Sequence, residues 1–174
     1  MDFIELIKKR HSVRSYKDEV VSADSLEKII NAAKLAPTSR DQKPCEFIVV
    51  TDKKQLTELS EAKAAGSQMI SNAGAAIIVL GDSEKSDVWI EDCSIAMTYL
   101  HLAAVNYGLG SCWVQLRKRQ SKNGESSGTS GYKKRLEAIQ IKLVKKGEAA
   151  RIFTGALLPD QADTVVKQED CTEK

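Results

Sequence analysis

The chain has 174 residues, enough for one domain with its own core and short for two. Its 26 basic residues against 24 acidic ones leave a net charge of +2, which argues against the basic face that general nucleic-acid binding requires. No apolar run approaches the roughly 18 residues of a membrane span, and the N-terminal MDFIELIKKR lacks the apolar stretch of a signal peptide. The expected location is therefore the cytoplasm, with neither membrane nor nucleic acid as partner.

Residues 2–9 read as a short helix with Phe3, Ile4 and Ile7 on one side. A basic cluster follows, in which Arg10, His11 and Arg14 surround Ser12. The plain interpretation is a solvated helix end, where Lys8, Lys9 and Arg10 suit the negative pole of the helix. In "VSADSLEKIINAAKLAP", Leu26, Ile29, Ile30, Ala33 and Ala36 recur at helical spacing, Ser22 or Asp24 caps the start, and Pro37 stops the run. "CEFIVV" (45–50) is a compact β-branched run and predicts a buried strand. "KKQLTELSEAKAA" (53–65) predicts a polar surface helix.

"AAIIVLGD" (75–82) predicts a second central strand, apolar throughout as in strands covered on both faces. Residues 87–107 predict a long helix, apolar nearly all round, of the kind that is buried in a core or at a subunit interface. His101 lies inside it and reads as a hydrogen-bonded core histidine rather than a catalytic one. Gly108 and Gly110 end the helix, and "SCWVQ" (111–115) predicts a third strand. Beyond this the pattern weakens. Residues 117–131 read as a polar, Gly/Ser-rich loop, 132–146 as moderately helical, "RIFTGALL" (151–158) as a last strand, and the residues from Pro159 onward as disordered.

Cys45, Cys93, Cys112 and Cys171 are widely spaced and form no CxxC pair, which argues against a zinc knuckle and a compact disulfide framework. Free, mostly buried thiols are expected. His11 and His101 are too few and too far apart for a metal site. No GxSxG elbow supports a serine hydrolase.

Three loops carry the chemistry. "RHSVR" (10–14) offers guanidinium forks that match phosphate oxygens, with a hydroxyl between them. "PTSRDQKP" (37–44) crowds donors and acceptors into a proline-bounded turn. "GLGS" (108–111) permits close backbone approach to a flat ring. Each has an ordinary alternative: a helix end, a turn-rich connection and a helix C-cap. Alternating helices and strands indicate a layered α/β or α+β domain, and these residues alone leave the strand directions open.

A short helix followed by R-x-S-x-R, an amphipathic helix, A-P-T-S-R-D-x-x-P with a strand after it, and a long apolar helix leading into G-L-G-S-C-W-V resembles the nitroreductase family. The resemblance covers roughly residues 1–125. It implies an α+β, three-layer fold with a mostly antiparallel sheet flanked by helices, one domain over 1–174, and an intertwined homodimer. It also implies bound FMN, NADH or NADPH as donor, and a small acceptor such as a nitroaromatic or quinone. Arg10, Ser12 and Arg14 then match positions that hold the FMN phosphate and the polar edge of the ring, with His11 in the same run. Pro37, Thr38, Ser39 and Arg40 match a loop that reaches the flavin, typically from the partner subunit. Gly110 and Ser111 match the segment beside the ring, with Gln115 nearby. No catalytic acid, base or nucleophile is nominated. The alternatives are a flavin-binding carrier or sensor without turnover, or a specialised relative such as a dehalogenase or a flavin-consuming enzyme.

Asp41 stands where many relatives carry Asn, and Cys45 where a Trp is frequent. From Ser127 onward the family pattern is not recognisable, and "TGALLP" (154–159) is at most a distant echo.

Overall fold

The computed structural model describes residues 1–17, 19–117, 119 and 162–170. Four helices, α1 (Phe3–Lys9), α2 (Ala23–Lys34), α3 (Lys53–Ser60) and α4 (Trp89–Asn106), surround a sheet of β1 (Cys45–Val50), β2 (Ala75–Gly81), β3 (Leu109–Gln115) and β4 (Ala162–Asp170). The strand order is β1-β2-β4-β3 and every pairing is antiparallel. The fold is α+β, as the family resemblance implied. The helix expected at 132–146 and the strand expected at 151–158 lie outside the described residues, as does most of the loop at 117–131.

β2 shows why the sheet needs two covering layers. All seven of its residues are buried. Ala75, Ile77 and Val79 face a cluster built from Leu26, Ile29 and Ile30 of α2 and Trp89, Met97 and Leu100 of α4. Ala76, Ile78 and Leu80 face the opposite way, onto Leu56 and Leu59 of α3 and onto Ile70. Successive side chains in a strand point to opposite faces, so a run with no polar residue requires cover on both.

Helix limits follow local chemistry. Asp2 caps α1 by accepting from the amides of Ile4 and Glu5, Ser22 caps α2 by accepting from Ser25, and Asp52 caps α3 by accepting from Gln55. α2 ends at Lys34, ahead of Pro37, because the residue before a proline is pushed out of helical geometry. α3 stops at Ser60 rather than running to Ala65. Gly66 sits at φ +82 in the turn that follows, and a 3-10 turn takes over at Gln68–Asn72.

The stretch from Pro159 onward was expected to be disordered, yet Ala162–Asp170 forms a strand between β2 and β3. Its sequence, ADTVVKQED, is polar and carries little strand signal of its own. Ladders on both edges supply what propensity does not.

α4 buries one face, at Trp89, Cys93, Met97, Leu100 and Ala104, and leaves Ile95 and Tyr99 partly exposed on another. α1 buries none of its residues, so Phe3, Ile4 and Ile7 present apolar surface to solvent. No helix among the described residues is long and apolar enough to cross a membrane.

Candidate functional site

The basic turn is set by the end of α1. The Arg10 amide closes the last helical turn on the Leu6 carbonyl, and the chain then leaves in extended geometry. Ser12 forms a parallel bridge with Ser111 of β3, and the Val13 amide donates to the Ser111 carbonyl at 3.1 Å. Within the turn, His11 Nδ1 donates to the Lys9 carbonyl at 2.9 Å, and Arg14 Nη1 donates to the Ser12 carbonyl at 3.3 Å. Among the described residues no carboxylate pairs with Arg10, Arg14 or Arg40. Among the described residues, these three guanidiniums therefore keep charge that an outside anion could meet.

Beneath this turn, α4 ends in a left-handed glycine. Gly108 lies at φ +75 and its amide donates to the Val105 carbonyl, so its role as a C-cap is realised. A Cβ there would meet nothing within 4 Å. Backbone conformation, not space, therefore calls for glycine. Leu109 to Gln115 already belong to β3, and Gly110 and Ser111 are buried.

Ser111 is tied from below. Its Oγ lies 2.6 Å from His101 Nδ1, a hydrogen bond between two buried side chains. Burial, and secondly the nearby charge of Arg10, push the His101 pKa down from 6.5 to about 4. The imidazole is neutral at neutral pH. His101 is the hydrogen-bonded core histidine expected, and it also props the residue that the basic turn rests on.

The turn at 37–44 is anchored elsewhere. The Ser39 amide donates to Asp92 Oδ1 at 2.9 Å, and Ser86 Oγ donates to Asp92 Oδ2 at 2.9 Å. The Lys43 amide donates to Thr38 Oγ1 at 3.0 Å, and the Asp82 amide to the Pro44 carbonyl at 3.0 Å. These ties hold Arg40, Asp41 and Lys43 at φ +52, +55 and +48, a left-handed region where a non-glycine residue costs about 1–2 kcal/mol. Gln42 Oε1 is buried and meets no hydrogen-bond partner among the described residues.

Asp92 and His101 are both on α4, nine residues apart, so about 13 Å separates them along the axis. Within one chain, then, Ser12 and Val13 meet Ser111, next to Gly110, while Ser39, in the turn with Pro37, Thr38 and Arg40, is tied near the other end of the same helix. Gln115 is at the far end of β3. Its Oε1 accepts from Trp113 Nε1 at 2.8 Å and its Nε2 donates to the Arg117 carbonyl at 3.4 Å. Asp92 was missed in the sequence, where it stands beside a second carboxylate, Glu91, in the first turn of a mostly apolar helix and nothing marks it as the one that turns inward.

Residues 7–71 match the model of the nitroreductase family, and residues 103–174 match that of the MoeA N-terminal region (domain I and II). The second match, unanticipated in the sequence, takes in β3 and β4. The chain is 41% identical over 123 residues to a protein of Archaeoglobus fulgidus provisionally named NADH dehydrogenase/NAD(P)H nitroreductase, covering 68% of this chain and 70% of that protein. A protein of the same provisional name from Methanothermobacter thermautotrophicus is 40% identical over 117 residues, covering 66% of this chain and 61% of that protein. Among solved structures, an FMN-dependent nitroreductase of Clostridium difficile R20291 superposes with a TM-score of 0.78 at 35% identity, covering 99% of this chain and 89% of that one.

Proposed function

The chain belongs to the nitroreductase family, and on that premise we propose that it is an FMN-dependent oxidoreductase, a single domain over 1–174 that works as a homodimer. It takes electrons from NADH or NADPH and gives them to a small acceptor such as a nitroaromatic or quinone. The observation that carries this proposal is the bridge between Ser12 and Ser111, which seats a turn whose guanidiniums meet no carboxylate among the described residues on a buried Gly-Ser strand start.

The residues present fit the cofactor. Arg10 and Arg14, with the Ser12 hydroxyl, supply charge-assisted donors for a phosphate dianion and for the polar edge of the ring, with His11 beside them. Gly110 removes side-chain bulk where the ring would pack, and Ser111, held by His101, fixes the backbone there. Neutral His101 adds no positive charge beneath the ring. Bound flavin supplies the redox chemistry itself, accepting hydride equivalents and passing them on. The protein's part is to bind, orient and exclude water.

Pro37, Thr38, Ser39 and Arg40 would serve the site of a second copy, since Ser39 is tied to Asp92 and Ser111 to His101, two positions about 13 Å apart along α4. The exposed apolar side chains Phe3, Ile4, Ile7, Ile95 and Tyr99 suit such a dimer. Gln115 lies at the margin of this arrangement.

The purified protein is expected to be yellow, to bleach anaerobically with NADH or NADPH, and to lose flavin in Arg10→Ala and Arg14→Ala. A colourless protein that takes up no added FMN overturns the proposal. Bound flavin that neither nicotinamide reduces would point instead to a carrier or sensor.

A further inference from the structure

Among the described residues Cys45, Cys93 and Cys112 are in no disulfide, and two of them touch. Cys45 is the first residue of β1 and half-buried; Cys93 is buried in the second turn of α4. Their sulfurs lie 3.4 Å apart. Cys45 Sγ donates across that contact to Cys93 Sγ, and Cys93 Sγ donates in turn to the Leu80 carbonyl at 3.5 Å.

This approach is built into the backbone. Cys45 pairs across the ladder with Gly81. A Cβ at Gly81 would fall 2.2 Å from Trp89 Cε3 and 2.9 Å from Cys93 Sγ, so α4 reaches the sheet here only because residue 81 has no side chain. The same glycine that admits Trp89 brings Cys93 against Cys45.

We propose that Cys45 and Cys93 form an oxidisable dithiol, a disulfide-forming modification site that responds to hydroperoxides. Cys45, the less buried member, attacks the hydroperoxide as its thiolate, taking one oxygen to become a sulfenic acid while the alcohol or water departs. Cys93 then attacks that sulfur, forming the S–S bond and releasing water. In sum, two thiols and one hydroperoxide give one disulfide, one alcohol and one water. The sulfurs close by about 1.4 Å to reach bonding distance.

The bond would act on the turn at 37–44. Cys45 directly follows Pro44, and Cys93 directly follows Asp92, whose carboxylate holds the Ser39 amide. Oxidation therefore cross-links the two supports of that turn. The proposal does not depend on the flavin assignment, because thiol chemistry can be read without bound cofactor.

The full-length protein is treated with equimolar hydrogen peroxide, unreacted thiols are alkylated, and peptides are mapped by mass spectrometry. The expected product is a Cys45–Cys93 linked peptide with two of the four thiols lost per chain, reversed by dithiothreitol. In Cys93→Ser, Cys45 instead becomes trappable by dimedone; in Cys45→Ser, Cys93 stays reduced. If Cys45 and Cys93 of the wild-type protein both remain alkylatable, or if the only disulfide formed involves Cys112 or Cys171, the proposal is overturned. The wild-type map decides the matter even where a serine variant fails to fold.

Discussion

Acidification should cost this protein stability through His101. The folded pKa of about 4 lies below the ordinary 6.5 because the ring is buried and Arg10 is close. Between those values the unfolded chain binds a proton that the folded chain refuses, so stability is complete above about pH 6.5 and is lost as pH falls toward 4. The full difference corresponds to about 3 kcal/mol, with a slope of at most about 1.4 kcal/mol per pH unit. Glu46 contributes with the opposite sign. Burial raises its pKa, so its contribution is present at low pH and lost as pH rises. Comparing wild type with His101→Gln cancels Glu46, since both proteins carry it. Urea unfolding midpoints measured from pH 7.5 to 4 should show the stability of wild type relative to the variant falling by about 3 kcal/mol. A difference that stays flat within about 0.5 kcal/mol across that range refutes the argument. It would mean that the histidine is hydrated or protonated in the folded protein.

Two other substitutions test the packing that positions the turns. Gly81→Ala drives a methyl into the Trp89 ring and the Cys93 sulfur and should destabilise by about 1–3 kcal/mol in chemical denaturation; a neutral outcome would show that α4 can slide off the sheet cheaply. Asp92→Ala leaves the Ser39 amide and the Ser86 hydroxyl without their acceptor and should cost about 1–3 kcal/mol, with faster hydrogen exchange confined to residues 37–44 and the start of α4. Uniform exchange across the chain would show that Asp92 supports the whole fold rather than that turn.

What could be read in advance was what local pattern determines. "CEFIVV" formed β1 over the same six residues because a short β-branched run has no competing helical face. α2 and α4 were legible from their spacing, and Ser22 proved to be the cap. β4 was not legible. Val165 and Val166 sit among polar residues, and only pairing with distant β2 and β3 makes that segment a strand. The site divided the same way. Arg10, Ser12 and Arg14 stood out as a cluster, but Ser111, nearly a hundred residues on, was linked to them by family likeness and not by periodicity. The partners of Asp92 and His101 could not be read in advance, because a polar residue in a mostly apolar helix does not declare what it meets across the fold. The crowding of three left-handed residues into 40–43 is equally silent in sequence, since none is glycine.

α4 has a consequence for how this architecture can vary. Asp92 grips one turn and His101 supports the other, so the helix acts as a ruler between them. Inserting one residue between those positions would rotate one grip about 100° relative to the other and lengthen the span by about 1.5 Å. Only indels close to whole turns, such as seven residues for two turns, would return both side chains to the same face. Drift in chain length should therefore accumulate in the connections around α4 and spare the stretch from 92 to 101.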